Sequence, residues 1–173
     1  MFNIEDLEIQ PLTTKYYDEN LDLLNSVIRE SHFLAQKNEI SNEESRQFID
    51  TYFEHPNTIY LIALYKQKLI GHISSIPRSE GRLSHIVNIG YIVHSNFRKK
   101  GVASRLMENL IIEAKEKSTI KIMVAEVAAD NIASINLLKK YDFNEFGCLF
   151  NGLMKKEEEF VDFLYFSKYL YEK

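Results

Sequence analysis

The sequence predicts a three-layer mixed α/β (α+β) domain, with a central, mostly antiparallel sheet of six to seven strands and helices on both of its faces. Three observations predict it. β-rich runs follow one another without an intervening helix between residues 58 and 93, which implies antiparallel neighbours. A strongly amphipathic stretch over residues 101–117 lies between two further β-rich runs, which implies one right-handed parallel crossover. Only six Gly and three Pro punctuate 173 residues, so no linker is expected and residues 1–173 read as one domain.

Residues 7–11 alternate and end on Pro11, the mark of an edge strand. Residues 18–29 set Leu21, Leu24 and Ile28 on one helical stripe. Ser41 stands three residues before Glu44, a capping box that starts a second helix running to about Phe53, short of Pro56. Residues 58–65 and 69–76 form a hairpin around Lys66-Gln67-Lys68, and residues 85–93 make the next strand. In the long helix, Ala103, Leu106, Met107, Leu110, Ile111 and Ala114 share a face. A strand over 120–127 follows, then a short helix capped by Asn131 and reaching Tyr141. Two strands near 143–150 and 160–170 close the chain, joined by a charged loop over 155–159.

A composition 45% apolar and 27% charged supports a buried core. The net charge of −4 speaks against nucleic acid as the main partner, because phosphate binding draws on clustered cations. It favours cationic partners such as amines or basic peptides. Cys148 is the one cysteine, so no intrachain disulfide forms, which fits a reducing cytoplasm. The start, Met1-Phe2-Asn3-Ile4-Glu5-Asp6, lacks the basic residues and apolar run of a signal peptide, and no apolar stretch reaches bilayer length. The expected location is cytoplasmic, away from membranes. The five histidines lack metal-ligand spacing, so no metal is expected. Aromatic residues crowd the tail (Phe160, Phe163, Tyr165, Phe166, Tyr169, Tyr171); they are expected to pack a strand, with any surplus covering a homodimer contact.

The chemistry concentrates in Ile89-Gly90-Tyr91-Ile92-Val93-His94-Ser95-Asn96-Phe97-Arg98-Lys99-Lys100-Gly101-Val102-Ala103-Ser104. A strand runs into a short basic turn that opens the longest helix. Free N–H groups and the positive end of the helix dipole converge there, which suits phosphate. Gly101 lets the backbone approach an anion, Ala103 keeps the first turn accessible, and Arg98, Lys99 and Lys100 add positive charge. The segment is neither a Walker loop nor a Rossmann fingerprint.

This spacing, Arg98-x-x-Gly101-x-Ala103, resembles the coenzyme A motif of the GNAT family of N-acetyltransferases, Gln/Arg-x-x-Gly-x-Gly/Ala. The stretch from Val127 through Asn131 to Tyr141-Asp142-Phe143 is similar to the family's second motif, in which an Asn follows a strand and an aromatic-tipped helix leads into Gly-Phe. Residues 30–34 and 43–49 resemble a subgroup of small-substrate and ribosomal-protein-like acetyltransferases.

The resemblance implies direct transfer of the acetyl group of acetyl-CoA, the acyl donor, to a primary amine on a small molecule, polyamine or protein N-terminus. It places the pantetheine arm along the backbone of Tyr91, Ile92 and Val93, with one N–H there stabilising the oxyanion. It also places the diphosphate on Arg98, Lys99, Lys100, Gly101, Val102, Ala103 and Ser104, with Asn131 beside the cofactor. Tyr141 matches the position that protonates the departing thiolate. Family members often carry a glutamate on the strand before the loop; here Asn88 stands near that place, which leaves His85 and Glu126 as candidate bases. Cys148 is not expected to act as a nucleophile. A non-catalytic acyl-CoA-binding module is the alternative, and a simple anion-binding regulator a third reading.

Overall fold

Helix starts follow from local side chains. The computed structural model describes residues 2–78 and 81–171. In chain order it has β1 (Leu7–Pro11), α1 (Tyr17–Glu30), α2 (Asn42–Tyr52), β2 (Ile59–Tyr65), β3 (Lys68–Pro77), β4 (Ile86–Val93), α3 (Val102–Glu116), β5 (Ile122–Ala128), α4 (Ile132–Lys140), β6 (Asn144–Lys156) and β7 (Glu159–Tyr169). The capping box of α2 is formed reciprocally: Ser41 Oγ accepts from Glu44 N at 3.2 Å, and Glu44 Oε2 accepts from Ser41 N at 2.7 Å. Asn131 Oδ1 caps α4 through Ser134 N at 3.2 Å. Helix α3 differs: its first flanking residue is Gly101, and no side chain caps it.

The seven strands lie in the order β1-β2-β3-β4-β5-β7-β6. Every pairing is antiparallel except β4 with β5, the two strands that flank α3. Strand periodicity sorts the core into two layers. Ile59, Leu61 and Ala63 of β2 pack with Leu106, Met107 and Leu110 of α3. The alternate residues Ile62 and Leu64 pack with Leu23 and Val27 of α1 on the other face. The β2–β3 hairpin turns on Lys66 and Gln67 alone, both at positive φ (51° and 64°), the two-residue geometry that matches strand twist.

The last hairpin departs from expectation. β6 runs to Lys156, and the charged loop shrinks to Glu157-Glu158 because cross-strand pairing continues to Lys156↔Glu159. Its apolar residues are only partly absorbed: Phe166 is fully buried, whereas Phe146, Phe150 and Phe160 are exposed. No helix among the described residues is long and apolar enough to cross a membrane.

Helix α4 ends in a Schellman turn, with Phe143 N bonded to Leu138 O at 3.0 Å and Asp142 N to Lys139 O at 3.1 Å. Asp142 therefore sits at φ 59°, where glycine is favoured. Asp142→Gly is expected to raise stability by up to about 1 kcal/mol, read as a higher chemical-denaturation midpoint at unchanged slope.

Candidate functional site

Strands β4 and β5 pair from Ile86↔Ile122 to Ile89↔Ala125 and then part. β4 continues to Val93 against β3, and β5 continues to Ala128 against β7. Residues 90–93 and 126–128 thus face a gap within the sheet. A cavity of about 440 Å³ fills it, walled by Gly90 to Val93 on one side and Ala125 to Val127 on the other. Arg98, Lys99, Gly101, Val102, Ala103 and Ser104 close one end, and Asn131, Ser134 and Leu138 of α4 add to the wall.

The closing end is an anion cradle. The first intrahelical bond of α3 is Arg105 N to Gly101 O at 3.0 Å. The amides of Val102, Ala103 and Ser104 therefore have no acceptor within the helix. Gly101 has φ 85°, a left-handed conformation that turns the chain sharply into the helix. With no side-chain cap, the positive end of a 15-residue helix opens onto the cavity.

The basic side chains of the loop divide in role. Arg98 Nε donates to Val93 O at 2.9 Å, and its guanidinium pairs with Glu30 at the end of α1. Arg98 thereby pins the loop to β4 and to α1. Lys99 lines the cavity, but Lys100 does not: its Nζ donates to Asn96 O at 2.8 Å and lies over the rings of Phe2 and Phe97.

Beyond Glu30, the chain crosses the cavity. Ser31, Phe33 and Leu34 line it, and His32 Nε2 lies 3.4 Å from Asp130 Oδ2, which also holds Lys155 Nζ at 2.6 Å. Two contacts, the ion pair of Glu30 with Arg98 and the approach of His32 to Asp130, thus tie this strap to both banks of the gap. Nothing in the spacing of residues 30–34 announced it, because the contacts span sequence separations of 68 and 98 residues.

The candidate acid–base residues separate. Glu126 lines the cavity. Met123, Ala125 and Val127 of β5 join the α3 layer, so Glu126 projects from the opposite, α1-bearing face, next to the gap. His85 lies eight residues before Val93, roughly 26 Å away along an extended chain, and does not line the cavity. Asn88 also lies outside the lining, and its Oδ1 is buried without a hydrogen-bond partner.

Tyr141 is turned away: its hydroxyl contacts Ser104 O at 3.0 Å and Glu108 Oε1 at 2.9 Å, and it is absent from the cavity wall. Burial and the Glu108 carboxylate raise its pKa. The residue one helical turn earlier, Leu138, lines the cavity instead. The phenol that does line it belongs to Tyr91, whose hydroxyl donates to Ser134 O at 3.4 Å and whose pKa burial pushes up to about 12. Reading Tyr91 for its backbone alone missed that side chain.

A second cavity, of about 310 Å³, lies between α1, α2 and the sheet, and reaches Ser74 of β3. Ser74 is the strand partner of Gly90, where an added Cβ would meet no atom within 4 Å. The two cavities thus approach each other across the Ser74–Gly90 pair. Among the described residues, no group of three or more His, Cys, Asp or Glu side chains could hold a metal.

Residues 22–143 match the model of the acetyltransferase (GNAT) family. The L-amino acid N-acetyltransferase AaaT of Escherichia coli is 28% identical over 66% of this chain and 70% of its own. N-acetyltransferase aca1 of Schizosaccharomyces pombe is 31% identical over 57% of this chain, though the match takes in only 47% of that protein. Among solved structures, a GNAT-family acetyltransferase from Streptococcus pneumoniae superposes with a TM-score of 0.87 at 23% identity, covering 94% of this chain and 99% of the other. An acetyltransferase from Salmonella typhimurium, solved with its cofactor acetyl-CoA, does so at 0.88 and 16%, covering 97% and 96%.

Proposed function

The chain belongs to the acetyltransferase (GNAT) family, whose members acetylate with acetyl-CoA as donor, and on that premise we propose that it transfers the acetyl group directly to a primary amine entering over Gly90. One observation carries the reading: the uncapped start of α3 opens onto the same cavity that parts β4 from β5. The donor's diphosphate takes the amides of Val102, Ala103 and Ser104, with Lys99 alongside and Arg98 holding the loop in place. Its pantetheine arm runs along the freed edge of β4 at Tyr91, Ile92 and Val93, as an added strand would. The carbonyl of Val93 is already taken by Arg98, so that arm bonds to the edge short of it. Asn131 contributes its free amide hydrogens while its oxygen caps α4.

The ammonium of the acceptor first gives its proton to Glu126, directly or through a water. The neutral nitrogen attacks the thioester carbon, and an amide on the freed strand edge stabilises the oxyanion. Collapse breaks the carbon–sulfur bond and expels the thiolate. Tyr91 hydrogen-bonds the departing sulfur and gives it a proton as the amide nitrogen returns its own surplus proton to the phenol through water, leaving free thiol, neutral amide and neutral tyrosine.

Acetyl-CoA is expected to raise the melting temperature, and free thiol to appear only when an amine is added. Within that assay, Tyr91→Phe should lower kcat at least about tenfold, whereas Tyr141→Phe stays within about twofold. The reverse order of effects would return the acid role to Tyr141. The Escherichia coli relative is named for L-amino acids, so amino acids belong in the acceptor panel beside polyamines and peptide N-termini.

A further inference from the structure

Resting on the reading that the amine enters over Gly90, we infer that the acceptor is a small primary amine bearing an apolar group and no carboxylate, which seats that group in the cavity between α1, α2 and the sheet. The wall chemistry carries this. Leu21, Leu24, Ile40, Phe48 and Ile49 supply most of the surface, and Phe48 remains 41% exposed at its mouth. A cavity of about 150 Å³ holds one benzene ring, so one of about 310 Å³ accommodates an aromatic or branched aliphatic group with its linker.

The polar groups on the cavity floor are committed to one another, while Gln36, Ser45 and Ser74 add neutral polar atoms but no charge to the wall. Asn20, Tyr60 and His72 form its floor and bond one another: His72 Nδ1 lies 2.6 Å from Asn20 Oδ1, Asn20 Nδ2 donates to Tyr60 Oη at 3.0 Å, and Tyr60 Oη lies 3.2 Å from His72 Nδ1 and 3.4 Å from Nε2. One tautomer satisfies the ring, with His72 donating from Nδ1 and accepting at Nε2. Burial lowers the His72 pKa to about 3, so the imidazole is neutral and is no counter-ion for an anion.

Charge completes the argument. Among the described residues, no Lys or Arg lines this cavity; Arg46 and Lys37 adjoin lining residues in sequence but not the wall. The one ionised group on the wall is Glu44, whose carboxylate the Ser41 cap keeps charged. The carboxylate of an α-amino acid stands beside the amine and so meets Glu126 at the gap, where Arg98 is engaged by Glu30 and Val93 O and Lys99 lies at the diphosphate end. An ammonium meets Glu126 favourably.

The test compares phenethylamine with L-phenylalanine, which differs from it only by the carboxylate, in thiol release from saturating acetyl-CoA by the full chain. We expect kcat/KM for phenethylamine to exceed that for phenylalanine at least about tenfold. Ser45→Arg, which places a cation on the half-buried wall, should narrow the ratio by raising phenylalanine turnover. Equal or better turnover of phenylalanine by the wild-type chain overturns the inference, as does acetyl-CoA binding without any thiol release from phenethylamine. Absence of thermal stabilisation by acetyl-CoA would instead overturn the donor-site reading beneath it.

Discussion

Gly101→Glu is expected to abolish acetyl-CoA binding. Gly101 holds φ 85°, so any side chain strains the turn, at a cost of about 1 kcal/mol. An alanine would meet only Ile4, at 3.6 Å, so space is not the obstacle. The carboxylate is. It adds a permanent negative charge at the helix start where Val102, Ala103 and Ser104 offer their amides, and it competes there with the diphosphate. Acids at helix starts stabilise helices, so the fold should survive, as circular dichroism can confirm. Calorimetric titration should then show no saturable binding, while Gly101→Ala, which carries the strain without the charge, keeps a weakened site. Micromolar affinity in Gly101→Glu would mean that the diphosphate lies elsewhere.

The second large effect belongs to Glu126→Gln. An alkylamine resembles lysine, with a pKa of about 10, so at neutral pH almost all of it arrives protonated. Removing the proton acceptor at the gap should lower kcat/KM by a factor of about 10² to 10⁴. The loss should shrink as pH rises, because solution then supplies the free amine that Glu126 otherwise generates. Donor affinity should not change, since the carboxylate lies away from the α3 amides. A loss of equal size at every pH would point to a lost binding contact rather than a lost base.

How far the sequence reached depends on the range of the contacts involved. Capping residues, turn residues and the stripe of α3 are local patterns: Ser41 and Asn131 stand as read, and the turn expected over Lys66-Gln67-Lys68 closes one residue sooner because Lys68 already pairs with Tyr65. The loop from Arg98 to Ser104 was legible for the same reason, since a strand, a turn and a helix start lie within a dozen residues. Lys100 shows the limit: charge counted along the chain does not say which side of a turn it occupies, and its ammonium went to Phe2 and Phe97. Tyr141 shows another. It stands one residue beyond α4, where φ −103° and ψ 26° have left helical values, so the helical face that carries Leu138 to the cavity does not extend to it. The second cavity was illegible because it assembles α1, α2, β2 and β3, whose contacts only the folded sheet creates.

The parting of β4 and β5 leaves the sheet unfinished along residues 90–93. Apart from Val93 O, which Arg98 takes, backbone groups there are bonded on the β3 side alone, and water must serve the other until a donor molecule supplies the missing strand. Bound acetyl-CoA is then part of the architecture as well as a reagent. Amide hydrogens on that edge would exchange slowly only in its presence. The survival of the folded chain in a cell would follow the local supply of activated acetyl groups, each tenfold rise above the dissociation constant adding about 1.4 kcal/mol.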